Sequence, residues 1–145
     1  SADMGNAVFV AAMLELPTMA FFTKMSEKIN CGTLIKFSIL MFVVKHALTY
    51  FATNMIMIYL AQVCQMFAYA LFVPASVYYV NEKIAVADRV KGQSLVTTSM
   101  TLSGVFANFA GGIMLDALGV GHVLLAGVIL SIVGAVIVIL TTEKV

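Results

Sequence analysis

The sequence predicts an all-α, polytopic transmembrane helix bundle. Of the 145 residues, 62% are hydrophobic and only 10% are charged, where a soluble domain carries about 25% charged residues. Mean hydropathy is +1.05. Apolar runs of the roughly 18 or more residues that a bilayer crossing needs recur at about 5–22, 33–53, 55–80, 93–115 and 121–141, separated by short polar segments. Five spans follow, in one domain of residues 1–145 without a Pro/Gly linker, a low-complexity run or a convincing internal repeat.

The first run, Gly5 to Phe22, holds a single charge, Glu15, inside the segment MLELP. It does not read as a removable signal peptide, because no basic segment precedes it and Glu15 and Pro17 interrupt its interior. An ionised side chain at a helix centre costs roughly 3 kcal/mol on insertion scales. Glu15 therefore requires a partner, a proton or a water-lined cavity, and such a group by default marks a substrate or ion pathway; the alternative is a protonated or paired carboxyl that only joins helices. Pro17 withholds the backbone donor that the Met13 carbonyl would otherwise take, which reads as a kink.

The second run places Lys45 roughly 10 Å below its outer end, and the first places Glu15 roughly 15 Å below its own, at the helical rise. At such similar depths a Glu15–Lys45 pair forms if the two faces converge; otherwise Lys45 snorkels outward. His46 points about 100° away from Lys45 and reads as a packing residue, with a proton relay as its alternative. In the third run Gln62, Gln65, Tyr69 and Ser76 share one helical face, and in the fourth Ser94, Thr97, Thr101 and Asn108 align in the same way. Amides and hydroxyls so spaced suit a polar solute in a water-filled cavity, or else bonds between helices. We assign Gln62, Gln65, Tyr69 and Asn108 to the pathway with Glu15 and Lys45, and the serines and threonines to interhelical bonding. Ser103, Ala107 and Gly111, and in the fifth run Gly127, Ser131 and Ala135, recur every four residues and read as close helix packing.

Charge sets the orientation. Lys24, Lys28 and Lys36 flank the first connection, Lys83, Arg89 and Lys91 the third, and Lys144 follows the fifth run, whereas residues 1–4, Thr53 with Asn54, and 116–122 carry no Lys or Arg. By the positive-inside rule the amino end lies outside, the carboxyl end in the cytoplasm, and residues 81–92 form the main cytoplasmic loop of a multi-pass plasma-membrane protein. A net charge of +1 argues against nucleic acid. Cys31 and Cys64 have no disulfide or metal spacing, and the ten methionines read as apolar filling. No nucleophile with a paired base, phosphate loop or His/Cys cluster points to an enzyme, a cofactor or a metal.

Three stretches, ELPTMAFFTKMSEKINCGTLIKF, VYYVNEKIAVADRVKGQSLVTT and GGIMLDALG, resemble the last half of major facilitator superfamily transporters. The most specific pieces are Glu-x-Pro at 15–17, Asp-Arg-x-x-Gly-Gln at 88–93 and Gly-Gly-x-x-x-Asp-x-x-Gly at 111–119. The likeness is to the branch of lactose-permease-type sugar:proton symporters and phenylpropionate-permease-like proteins, with these runs as helices eight to twelve of twelve. It implies a partial six-helix half, an amino-terminal half of the same chain as partner, and alternating access for a small organic solute, coupled to protons. In the sugar symporters a basic residue of helix nine belongs to the coupling machinery, and Lys45 falls at its position. Their helix ten carries a His and, one turn on, a proton-carrying Glu, where this sequence has Gln65 and Ala68. Proton-coupled efflux of amphiphilic compounds, and a non-transporting receptor or assembly subunit, are the alternatives.

The charge pattern generates one test. A cysteine placed at Asn81 or Ala87 in the intact protein should react with an impermeant thiol reagent only from the cytoplasmic side, and one at Val120 only from outside; the reverse accessibility would overturn the orientation.

Overall fold

A computed structural model describes residues 5, 9, 13, 17 and 20–143, and among them there is no strand. Residues 5, 9, 13, 17 and 20–26 are helical and belong to α1. There follow α2 (Cys31–Tyr50), α3 (Met55–Lys83), a 3₁₀ turn (Val86–Asp88), α4 (Arg89–Leu118) and α5 (Val120–Thr141). Each of α2 to α5 is long and apolar enough to cross a membrane. Most of the first predicted span, Glu15 with it, lies outside the described residues, as does Lys144.

The described helices outrun the apolar runs. α3 continues through Asn81, Glu82 and Lys83, and α4 begins at Arg89, so the connection expected over 81–92 contracts to residues 84–88. Nothing in NEK or RVKG forces a break. A backbone ladder carries on into the polar boundary once the apolar stretch has started it, because each added residue closes a further hydrogen bond. The opposite turns are set by local chemistry. Asn54 caps α3, its Oδ1 accepting from the Met57 N–H at 3.0 Å. Gly119 joins α4 to α5 at φ 83°, a left-handed backbone that strains any residue bearing a Cβ. The final glycine of Gly-Gly-x-x-x-Asp-x-x-Gly is therefore a turn requirement.

α2 is the central element, packed along α3 and against α5, while α4 reaches α3 and α5 more lightly. The apolar core lies towards the end that carries the basic turns. There Phe22, Leu34, Ile35, Leu71 and Ala75 are buried, with Met25, Phe72, Tyr79 and Val138 against them. Phe22 meets Tyr78 at 5.4 Å between ring centroids, and Phe42 meets Phe72 at 6.4 Å. In a bilayer such contacts act through close packing, since lipid is as apolar as the side chains. Of α4, Gly92 alone is buried.

Gly92 marks the closest approach of α4 to α3. A Cβ there would stand 2.5 Å from Ile84 Cδ1 and 2.8 Å from Val80 Cγ1. The neighbouring Gln93 bonds α3 directly, its Nε2 donating to the Val77 carbonyl at 2.9 Å. The Gly-Gln pair of the 88–93 motif thus joins two helices, the glycine by absence of a side chain and the glutamine by its amide. The expected small-residue stripes behave differently from each other. Ala135 is buried and Gly127 faces His46 of α2, but Gly111 has nothing within 4 Å of an added Cβ. A gap of about 200 Å³ stands between Gly111 and Gly127. Small residues permit close approach but do not enforce it, and here Met114 and Leu130 line the same gap between α4 and α5.

At the basic end the segment after α5 is tied to α3. Lys83 Nζ pairs with Glu143 Oε2, and the Glu143 N–H donates to the Tyr79 hydroxyl at 3.3 Å. The hydrogen bond from Lys83, helped by its charge, holds the Glu143 carboxyl below the usual carboxylate range.

Three outcomes are expected. Gly92→Val should lower stability by about 1–3 kcal/mol through overpacking, measured by thermal unfolding in detergent. Gly104→Ala, where an added Cβ meets nothing, should leave it unchanged or raise it. Because the folded pKa of Glu143 is depressed, its contribution is complete above the ordinary carboxylate value of about 4.3 and is lost as pH falls through the lowered value. The difference in melting temperature between wild type and Glu143→Gln should accordingly be small but present at neutral pH, shrink with added salt and vanish in acid.

Candidate functional site

An ammonium inside a spanning helix has few stable arrangements: it reaches the interface along its own stem, or it finds an acceptor within the protein. Lys45 takes the second course. It is half-buried on α2, and its Nζ donates to Oε1 of Gln65, half-buried on α3. Gln65 lies roughly 15 Å along α3 from Met55, at the helical rise. The bond therefore sits within the membrane span, in the half of the bundle opposite the apolar core.

The neighbouring polar groups divide sharply. Gln62 is half-buried and Tyr69 is 39% exposed; both share the helical face of Gln65, one turn before it and one turn after. Ser76, on the same row nearer the basic end, is 8% exposed and donates to the Val73 carbonyl of its own helix at 2.7 Å. On α4, Asn108 is exposed and its Nδ2 donates to the Gly104 carbonyl at 2.9 Å, while Thr101 donates to Thr97 at 3.0 Å. These bonds return to the parent helix, so the interhelical bonding expected of Thr101 is not what it makes. The physical reason is proximity: a hydroxyl on a helix always has the carbonyl three or four residues back within reach, whereas a partner helix must approach closely. The structure thus brings Lys45 and Gln65 together, sets Gln62 and Tyr69 on the same face, and leaves Asn108 on α4 bonded to its own helix. Glu15 lies outside the described residues.

His46 occupies a separate space. Its Nδ1 is 2.7 Å from the Phe42 carbonyl. A carbonyl only accepts, so Nδ1 carries the proton in this bond. The ring lies against α5, with Cδ2 3.3 Å from where a Gly127 side chain would begin. It borders a largely apolar cavity of about 370 Å³, lined also by Ile39, Phe42, Leu130 and Ser131. The packing role expected of His46 agrees with this placement; the cavity beside it was not legible, because residues of α2, α4 and α5 far apart in sequence line it together. Among the described residues, no group of His, Cys, Asp or Glu is arranged to hold a metal.

If the Lys45–Gln65 bond links α2 to α3, Lys45→Ala and Gln65→Ala should be non-additive. A double-mutant cycle in thermal stability should give a coupling of about 1–2 kcal/mol, as for a hydrogen bond to a charged group; strictly additive losses would mean the two side chains act independently.

Neither a curated protein nor a solved structure matches this chain. The family model described as Major Facilitator Superfamily matches residues 1–145, the full length of the sequence. An all-α array of apolar spanning helices, a charged group bonded between two of them within the membrane, and this match together make the chain a member of the major facilitator superfamily of membrane transporters.

Proposed function

We propose that the chain forms part of a proton-coupled secondary transporter, most simply a symporter, that moves a small organic solute across the membrane by alternating access, with its basic end in the cytoplasm of a plasma-membrane protein. The observation that carries this reading is the Lys45–Gln65 bond. A cation held inside the span, instead of snorkelling to the interface, is a costly feature whose default role is in a substrate or ion path. Glu15, at a depth similar to that of Lys45, is the group that gains and loses the proton; Gln62, Gln65, Tyr69 and Asn108 offer amide and phenol contacts to a polar solute. Where the sugar-symporter pattern has a titratable His and Glu on this helix, Gln65 and Ala68 cannot exchange protons, so the duty falls on Glu15. A facilitator's path runs between two six-helix halves, and an amino-terminal half completes it.

A second reading, proton-coupled export of an amphiphilic compound, is favoured by the apolar cavity beside His46. An amphiphile would fill that space and meet the imidazole with its polar end.

In the full-length transporter, Glu15→Gln keeps size and polarity but removes the ionisable site. It should abolish uphill accumulation in vesicles while solute exchange continues. Uphill transport at the wild-type rate across roughly pH 5 to 8, the range that brackets a coupled carboxylate or imidazole, would overturn the proton-coupling role. Gly127→Leu should fill the apolar cavity and, on the export reading alone, suppress efflux of a hydrophobic dye.

A further inference from the structure

Most hydroxyls on these helices are satisfied by their own backbone: Ser38, Thr49, Ser76, Ser131 and Thr141 each donate to the carbonyl three or four residues earlier. Ser94, Thr97 and Thr98 do not, and among the described residues they donate to no protein acceptor. All three line one cavity of about 480 Å³ at the basic end, between α3 and α4, together with Asn81, Gln93 and Arg89. The arginine is in the same condition. Its Nε is fully buried without a hydrogen-bond partner. Of the acids at this end, Asp88 pairs with Lys91 at 2.7 Å and Glu143 with Lys83, while Glu82 acts on Cys31 of α2.

We propose that this cavity binds a phosphate group, supplied by the headgroup of an anionic lipid of the cytoplasmic leaflet. A buried guanidinium donor without an acceptor is costly, and its planar fork suits two oxygens of one phosphate, taken by Nε and a terminal nitrogen after a small rotation. Three uncommitted hydroxyls on one helical face add neutral donors for the remaining oxygens. Arg89 is the charged group of this lining, and its positive charge selects an anion over a cation or a neutral solute. A lipid is the favoured source because Arg89 lies where the spanning helices leave the membrane, at the end that the basic turns place in the cytoplasm, where anionic headgroups are concentrated. This site is distinct from the Lys45–Gln65 contact and does not depend on the transported solute.

The test uses the full-length protein in neutral detergent, with thermal unfolding as readout and dioleoyl phosphatidylglycerol, dioleoyl phosphatidylcholine or inorganic phosphate as the added probe. Phosphatidylglycerol should raise the midpoint, phosphatidylcholine should not, and Arg89→Gln should weaken the lipid's apparent affinity on the order of tenfold. Lys24→Gln, a change at an exposed cation of the same end, should leave the shift intact. A shift reproduced by millimolar phosphate alone would keep the site but make a soluble phosphate its ligand. Should Arg89→Gln fail to fold, the Ser94→Ala, Thr97→Val, Thr98→Val triple variant should lose the same shift. An equal response to phosphatidylglycerol in wild type and in these variants, or no response in wild type to either lipid or phosphate, would overturn the proposal.

Discussion

A charge within a hydrocarbon-spanning helix must be answered by the protein, and the placing of Lys45 against Gln65 is that answer here. Hydrocarbon cannot solvate an ammonium, so an acceptor on a neighbouring helix, held there by packing, lowers its cost. This requirement orders the rest. α2 has to lie alongside α3 for the contact to form, and the aromatic and aliphatic interdigitation of Phe22, Leu34, Ile35, Leu71 and Ala75 supplies the rigidity at the other end of the same interface. The α2–α3 interface is thus apolar and tightly packed towards the basic end and polar in the opposite half. That asymmetry suits a device in which one region stays fixed while another changes its contacts.

The peripheral helix tells a complementary story. α4 meets its neighbours at a few points where the chain has removed side chains or aimed amides: Gly92 and Gln93 against α3, and Gly119 at the turn into α5. Along the rest of its length apolar groups such as Leu102, Phe106, Phe109 and Ile113 face outward. In a membrane, outward apolar side chains carry no penalty, since lipid or another helix is an equivalent neighbour. What would signal instability in a soluble domain is here the ordinary condition of a spanning helix.

Much of this was legible in the residues and the remainder was not, for identifiable reasons. Helix type and the approximate spans follow from long apolar runs, because the bilayer imposes a minimum length that composition alone reveals. The inward choice of Lys45 was one of two options until the position of α3 was known, since a sequence records a residue's depth in a span but not which way its helix is turned. Helix ends moved for a related reason: Asn81 to Lys83 and Arg89 to Gly92 are polar, yet they continue the backbone ladder into the boundary region. The Lys83–Glu143 tie joins parts of the chain far apart in sequence and leaves no local signal. Arg89 and Gly92 did announce themselves within the 88–93 motif, but the cavity beside Arg89 depends on how α3 and α4 diverge above their contact at Gly92.

The proton-coupling proposal turns on a carboxyl at residue 15 that gains and loses a proton. Infrared difference spectroscopy of the full-length protein, recorded as pH is stepped, reads it most directly, because a protonated carboxyl and a carboxylate absorb separately and no solute is required. Wild type should show a carboxyl band that titrates and that is missing in Glu15→Gln. Identical spectra for wild type and Glu15→Gln would sink the proposal.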